Sequence, residues 1–315
     1  MTHISQAELL AQLRQASEFA QQRDLALALL VQTRSRQYID QALRVLVNDS
    51  VVATLDTSHY PLLAEKTSYY FQNPEKDLAG LIREQLIRLL VHIGHPDAQD
   101  LYRQGVETYE HQPVLDVAQN LRAVSLAGLA EVDSHVACVY AVKVLGEEDT
   151  SQLNCEPSMT AVILLSRFGK PLPIYQFLLV SGRRFVERAM GEVVGKALES
   201  LGKDFPKALY RQVAQSFVSM DSPIVTSGVI NTIIEYRIQE FYPWLEAMIN
   251  ETQHDTLHQY GLIMMASSRD DDLVNMLYRL AQDSPRHRVA NFIEAIALTS
   301  HDDRDDLLMA LKARR

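Results

Sequence analysis

Only two cysteines occur in the 315 residues, Cys138 and Cys155. Two thiols with no histidine cluster beside them exclude a disulfide framework and do not read as a zinc site. Cys138 lies in the run Val136-Ala137-Cys138-Val139 and is expected to be a buried apolar thiol. Glycine and proline are scarce, at 12 and 11 residues, and fall mostly between periodic segments, so no low-complexity linker divides the chain. The most apolar stretches, Ala161 to Leu165 and Gly261 to Ala266, are far short of the roughly 18 residues a membrane span needs. The start, Met1-Thr2-His3-Ile4-Ser5-Gln6-Ala7-Glu8, has neither a basic region nor a long apolar core and does not read as a secretory signal. Positive charge is in deficit: the formal net charge is −10. That balance argues against an overall binder of nucleic acid or anionic membrane, because phosphate affinity needs concentrated Lys and Arg. A reducing cytoplasm is the expected compartment. What the chain does have is apolar content, 47% of residues, ample for a substantial core.

That apolar content is periodic. An aliphatic residue followed by tyrosine recurs at Leu101-Tyr102, Val139-Tyr140, Ile174-Tyr175, Leu209-Tyr210 and Leu277-Tyr278. The first step between tyrosines is 38 residues and the next two are 35 each. Trp244-Leu245 fills the long gap before Tyr278, and Ala310-Leu311 continues the series. Such a period is the signature of stacked helical hairpins. Each unit reads as helix, short turn, helix. Arg183 to Leu201 carries Phe185, Val186, Ala189, Met190, Val193, Val194, Ala197, Leu198 and Leu201 on one side at 3.6 residues per turn. Arg184, Arg188, Glu192 and Lys196 form the opposite ridge, with Arg188–Glu192 and Glu192–Lys196 as expected ion pairs. Gly202 stops the helix, and Asp204 is the expected N-cap of the next. The same grammar predicts helices at 82–93, 114–130, 136–145, 159–168, 172–180, 224–238, 241–249, 257–266, 273–281, 289–298 and 307–313. No strand alternation is found, so the class is all-α. Val106, Val144, Leu179, Ala214 and Ile249, four residues after each second anchor residue, keep an apolar ridge in phase.

Residues 1–76 are less regular, with helices expected at 7–19, 25–31, 38–47 and 60–71. They read as a divergent N-terminal cap on about seven units spanning 77–315, because an open stack must hide its end. The run Ile82-Arg83-x-x-Leu86-x-x-Leu89-x-x-x-Ile93-Gly94-His95-Pro96, followed by Ala98-x-x-Leu101-Tyr102, resembles a HEAT or PBS-lyase-type HEAT-like repeat. Val186 to Leu209, and Arg288-Val289 onward, resemble it too. A uniform Asp and Arg in every inter-helix turn is missing. The resemblance implies an armadillo-like α-solenoid that serves as a binding scaffold, with the second helices lining its concave side.

Motifs of catalysis are weak. There is no phosphate-binding glycine loop, no G-x-S-x-G and no H-E-x-x-H. Gly191-x-x-x-Gly195 reads as a site of close helix packing. Asp270-Asp271-Asp272 and the acidic run His301 to Asp306 read as helix caps rather than cation sites. His254 and His258, at i, i+4, read as surface or helix-end residues, since no third metal ligand is near. Trp244 is expected in the core, while Phe241, Tyr242 and the run Tyr69-Tyr70-Phe71 remain open as recognition anchors.

Charge is uneven. Residues 165–212 carry nine Lys or Arg against four acids, a net of +5 in an acidic chain. The residue after each anchor pair is Arg103, Ala141, Gln176, Arg211, Glu246, Arg279 or Lys312, which a regular stack aligns into one stripe. The expected partner-binding residues are Arg103, Gln176, Arg183, Arg184, Lys207, Arg211, Glu246 and Arg279, meeting a protein or peptide with an acidic segment. A solvated face with internal ion pairs explains the same residues. The expected function is a non-enzymatic cytoplasmic adaptor with no metal or cofactor. Since some HEAT-like bacterial proteins are alkylpurine DNA glycosylases, a DNA-binding or glycosylase role is the alternative. Chromophore attachment, suggested by the lyase-type repeat, is a third reading.

Overall fold

In a computed structural model the described residues are 5–112, 115–147 and 154–314. Met1 to Ile4, and Val114, read above as a helix start, lie outside them. All regular elements among the described residues are helices; they contain no strand, only an isolated antiparallel bridge between His111 and Asp116. None of their helices is long and apolar enough to cross a membrane. The chain divides into two compact units, Met1–Gly169 and Lys170–Arg315.

The first unit contains α1 (Gln6–Gln15), α2 (Phe19–Gln32), α3 (Arg36–Leu46), α4 (Asp49–Val52), α5 (Tyr60–Gln72), α6 (Leu81–Ile93), α7 (Gln99–Val106), α8 (Gln119–Val132), α9 (Ser134–Gly146) and α10 (Ser158–Arg167). Helices α3, α6, α8 and α10 pack successively side by side, and α5 and α7 pair beside them. The irregular N-terminal residues are therefore packed directly on the first regular pair through α3 and α5. Helix α8 is buried almost all round, by Leu121, Ala123, Leu126, Leu129 and Ala130 among others. A helix without a polar face belongs in the middle of a layer.

The second unit contains α11 (Pro171–Phe177), α12 (Arg183–Glu187), α13 (Gly191–Ser200), α14 (Lys207–Val218), α15 (Pro223–Glu235), α16 (Tyr242–Glu251), α17 (Asp255–Ser267), α18 (Asp271–Gln282), α19 (Val289–Ile296) and α20 (Arg304–Arg314). Here α13, α15, α17 and α19 pack in sequence as one row, and α14, α16, α18 and α20 contact it from beside. Gly195 and Gly228 bring α13 and α15 together so closely that a Cβ on Gly228 would sit 2.4 Å from the Gly195 carbonyl oxygen.

The expected helix over 183–201 is two helices. A π-helical turn at Leu178–Gly182 joins α11 to α12, and the chain breaks after Glu187. Ala189 takes a left-handed conformation at φ 61°, and the Met190 N–H bonds back to the Phe185 carbonyl. This is the helix-ending geometry usually given to glycine. The break cuts the expected Arg184-to-Lys196 ridge, and Lys196 pairs with Glu199 at 2.9 Å. Asp204 does not cap α14, whose N-cap position is Pro206. Asp270 does cap α18, accepting from the Asp272 and Leu273 backbone N–H groups.

The anchor pairs mark the right positions along the chain but not one rotation about the helix axis. Leu101, Tyr102, Leu277 and Tyr278 are buried, whereas Val139 is 65% exposed. Leu179, expected in the apolar ridge, is exposed, and Leu178 is buried instead because α11 turns Ile174 rather than Tyr175 to the core. Cys138 is partly exposed, not buried.

Candidate functional site

Side chains one unit apart touch repeatedly. In the second unit Lys207 pairs with Glu240 at 3.0 Å, Arg279 with Glu246 at 2.6 Å and His254 with Asp221 at 3.1 Å. Gln239 donates to Asp272 at 3.0 Å and Asn231 to Glu199 at 2.7 Å. Each bond spans 32 or 33 residues of sequence. In the first unit Tyr140 donates to Glu107 at 2.6 Å across 33 residues, and Gln99 to Asp133 at 3.2 Å across 34. Equivalent positions of neighbouring helices thus lie against each other.

This lays out a surface across α14, α16 and α18. Lys207 and Arg211 are exposed on α14. The Arg211 guanidinium lies 5.9 Å from the Phe241 ring centre and 6.0 Å from that of Trp244. Trp244, expected in the core, is partly exposed, while Phe241 and Tyr242 are buried and cannot be recognition anchors. Tyr242 instead donates to Asp270 at 3.0 Å, and burial with that bond raises its pKa. Tyr70 is likewise core.

Of the expected partner-binding residues, Glu246 and Arg279 bond to each other, and Lys207 and Arg211 are tied to the α16 region by Glu240 and by the aromatic rings. Gln176 is exposed on α11, and Arg183 pairs with Glu187 at 3.0 Å within its own helix. Arg184 donates to Ser181 at 3.4 Å. Arg103 belongs to the first unit, where it lies 3.5 Å from Asp100 and a hydrogen bond to Tyr140 raises its pKa. Ala141 is fully buried and interrupts the stripe. Most of these charges already have acidic partners, but exposed ion pairs are worth only about 0.2–1 kcal/mol, so a ligand displaces them easily. Among the described residues Arg211 has aromatic partners and no carboxylate.

Among the described residues three arginines are buried. From sequence Arg83 belongs to the repeat-like motif and Arg286-His287-Arg288 reads as a solvated basic turn, which the burial of Arg288 overturns; Arg122 carried no reading of its own. Arg83 is held by Asp77 at 2.9 Å and by Glu110. Arg122 is held by Asp116 at 3.4 Å and by Glu147. An aromatic ring faces each cation, Phe71 at 5.7 Å and Tyr109 at 4.0 Å. The two sets are copies about 38 residues apart, and the signal was present as Asp77-x5-Arg83 and Asp116-x5-Arg122. The third, Arg288, is 8% exposed. It donates to the backbone carbonyls of Ile249, Asn250 and Thr252 at the end of α16. No carboxylate pairs with it among the described residues, and its Nε has no hydrogen-bond partner there.

Arg288 lines a cavity of about 550 Å³ with Asn250, Gln253, His258, Ser284 and His287. Glu246 and Arg279 of the surface described above line it as well. His258 is not a surface residue: it is 1% exposed, packs edge-on against Phe292 at 5.4 Å and faces Asn291 Nδ2 at 3.1 Å. Burial first, then the Arg288 charge, push its pKa down to about 4. No group of three His, Cys, Asp or Glu side chains among the described residues is placed to hold a metal ion.

The sequence matches no protein-family model and no curated protein, and the fold has no match among solved structures.

Proposed function

We propose that the chain is a HEAT-like α-solenoid acting as a non-enzymatic cytoplasmic adaptor, and that it binds an acidic protein segment across α14, α16 and α18. The observation that carries this reading is the register of Lys207–Glu240, Arg211–Trp244 and Glu246–Arg279. Contacts repeating every 33 residues or so belong to units stacked by translation. Stacking of this kind builds a long surface rather than a closed pocket. An exposed arginine over a partly exposed tryptophan then supplies both charge-assisted hydrogen bonding and aromatic contact.

Trp244 is the only tryptophan in the chain, so its fluorescence reports on this surface directly. Titration with a glutamate-rich peptide at low ionic strength is expected to change that emission saturably. Arg211→Glu and Arg279→Glu are each expected to weaken binding roughly tenfold. Binding that ignores both reversals would refute the assignment. Tight, salt-sensitive binding to an alkylated DNA duplex in place of the peptide would transfer the surface to the nucleic-acid reading.

A further inference from the structure

Burying a cation away from water is costly unless an anion or a full set of acceptors replaces its hydration. Arg83 and Arg122 obey this rule with two carboxylates each. Arg288 departs from it. The carbonyls at the end of α16 carry the negative pole of that helix and compensate part of its charge. They leave Nε unsatisfied and supply no full counter-charge. The cavity beside Arg288 is also lined by the side-chain amides of Asn250 and Gln253 and by His287, while the Ser284 hydroxyl donates to the Ala281 carbonyl. Of its two carboxylates, Glu246 is committed to Arg279, and Asp283 is exposed and does not pair with Arg288 among the described residues.

We propose that this cavity receives one oxyanion group, a carboxylate or a phosphate, which provides the counter-charge that buried Arg288 lacks. The proposal rests on the reading of the α14–α16–α18 surface as the acidic partner's site, because Glu246 and Arg279 belong to both. On that reading the oxyanion is an acidic side chain of the partner, and displacement of Glu246 from Arg279 frees a second guanidinium for it. Bidentate pairing of guanidinium with carboxylate or phosphate fixes both position and orientation.

His258 is the internal probe. The charged groups acting on it are Arg288 and His287, which disfavour its protonation, and Asp255, which favours it; Asn291 faces its Nδ1. An anion beside Arg288 cancels part of the cationic field, so it tightens proton binding at His258 by roughly ten- to a hundredfold. Imidazole resonances of the intact protein, titrated with pH at fixed ionic strength, read this change. The arms are sodium chloride, sodium acetate, inorganic phosphate and the glutamate-rich peptide. A saturable rise in His258 proton affinity with peptide, acetate or phosphate, absent with chloride and weakened by Arg279→Gln, is the expected result. Phosphate or acetate acting while the peptide does nothing supports the cavity and removes the acidic-partner reading. Peptide binding seen at Trp244 without any change at His258 leaves the surface standing and overturns the cavity. No saturable change in any arm overturns it too, and assigns Arg288 to helix capping alone. Arg288→Gln serves as a second check where it folds: it should abolish the anion effect, and an unchanged anion effect in that variant contradicts the proposal.

Discussion

Arg122 has no exposed surface and two carboxylates paired with it, whereas Arg288 is nearly as buried and pairs with none among the described residues. For Arg122 the consequence is structural. Arg122→Met removes the cation and leaves Asp116 and Glu147 facing each other, with Asp116 only 2% exposed. Breaking such a pair from one side is expected to lower the unfolding free energy by about 3–5 kcal/mol. Urea unfolding monitored by circular dichroism measures it, and a loss under about 1 kcal/mol would mean the triad is solvated. His258 gives a second residue-scale expectation. Its folded-state pKa is about 4, below the ordinary value of 6.5. Between those values the unfolded chain binds a proton that the folded chain refuses, so stability rises with pH across the window. It is lost as pH falls from about 6.5 toward 4, by on the order of 3 kcal/mol at most. His258→Gln should flatten that part of the stability–pH curve relative to the parent protein. An identical slope in both proteins would show that other groups carry it.

At the level of elements, several turns between consecutive helices carry a left-handed residue: Gly94, Gly169 and Gly202, then Arg237 and Arg269. Where glycine holds the position, the end of the helix was legible in the sequence, since only glycine adopts this conformation without strain. The break at Ala189 was not legible. Its apolar spacing continues in phase from Phe185 to Leu201, and alanine is the strongest helix former. Tertiary packing decides instead: α13 must start afresh to press Gly191 and Gly195 against α15. Ala189→Gly is therefore expected to stabilise the protein by about 0.5–1 kcal/mol, the relief of left-handed strain less the added freedom of the unfolded chain. A downward shift of the urea midpoint would show that Ala189 is held by contacts rather than tolerated. The candidate surface was legible in part for the same kind of reason. Sequence period put Arg211, Glu246 and Arg279 at equal offsets, and Glu246 and Arg279 do lie against each other; Lys207 entered through the charge count of its segment alone. The period misplaced Phe241, Tyr242, Leu179 and Ala141, because helix rotation within each unit is set by side-chain volumes across the interface. Half of each carboxylate pair was legible, as Asp77-x5-Arg83 and Asp116-x5-Arg122; the other half was not, because Glu110 lies 27 residues from Arg83 and Glu147 lies 25 from Arg122.

Across the whole molecule, stability follows position in each packed row. Helix α8 has α6 and α10 as flanking neighbours, and α15 has α13 and α17. Each buries most of its residues, including Leu121, Leu126 and Leu129 in one and Val229, Ile230 and Ile233 in the other. At the extremes α1 buries only Leu9 and Leu13, and α20 only Leu311. When each element gains its stability from nearest neighbours, opening starts where one neighbour is missing. Amide hydrogen exchange should therefore be fastest in α1 and α20 and slowest in α8 and α15, with protection rising inward from α20 through α19 and α17. The Arg314 contacts to the carbonyls of Ala281, Gln282 and Ser284 tether α20 to the end of α18. Arg314→Ala should accordingly speed exchange in α20 while leaving α15 unchanged. Uniform exchange along α13 to α20, or an equal effect of that substitution on α15, would mean that the unit opens all at once and that nearest-neighbour stacking does not govern it.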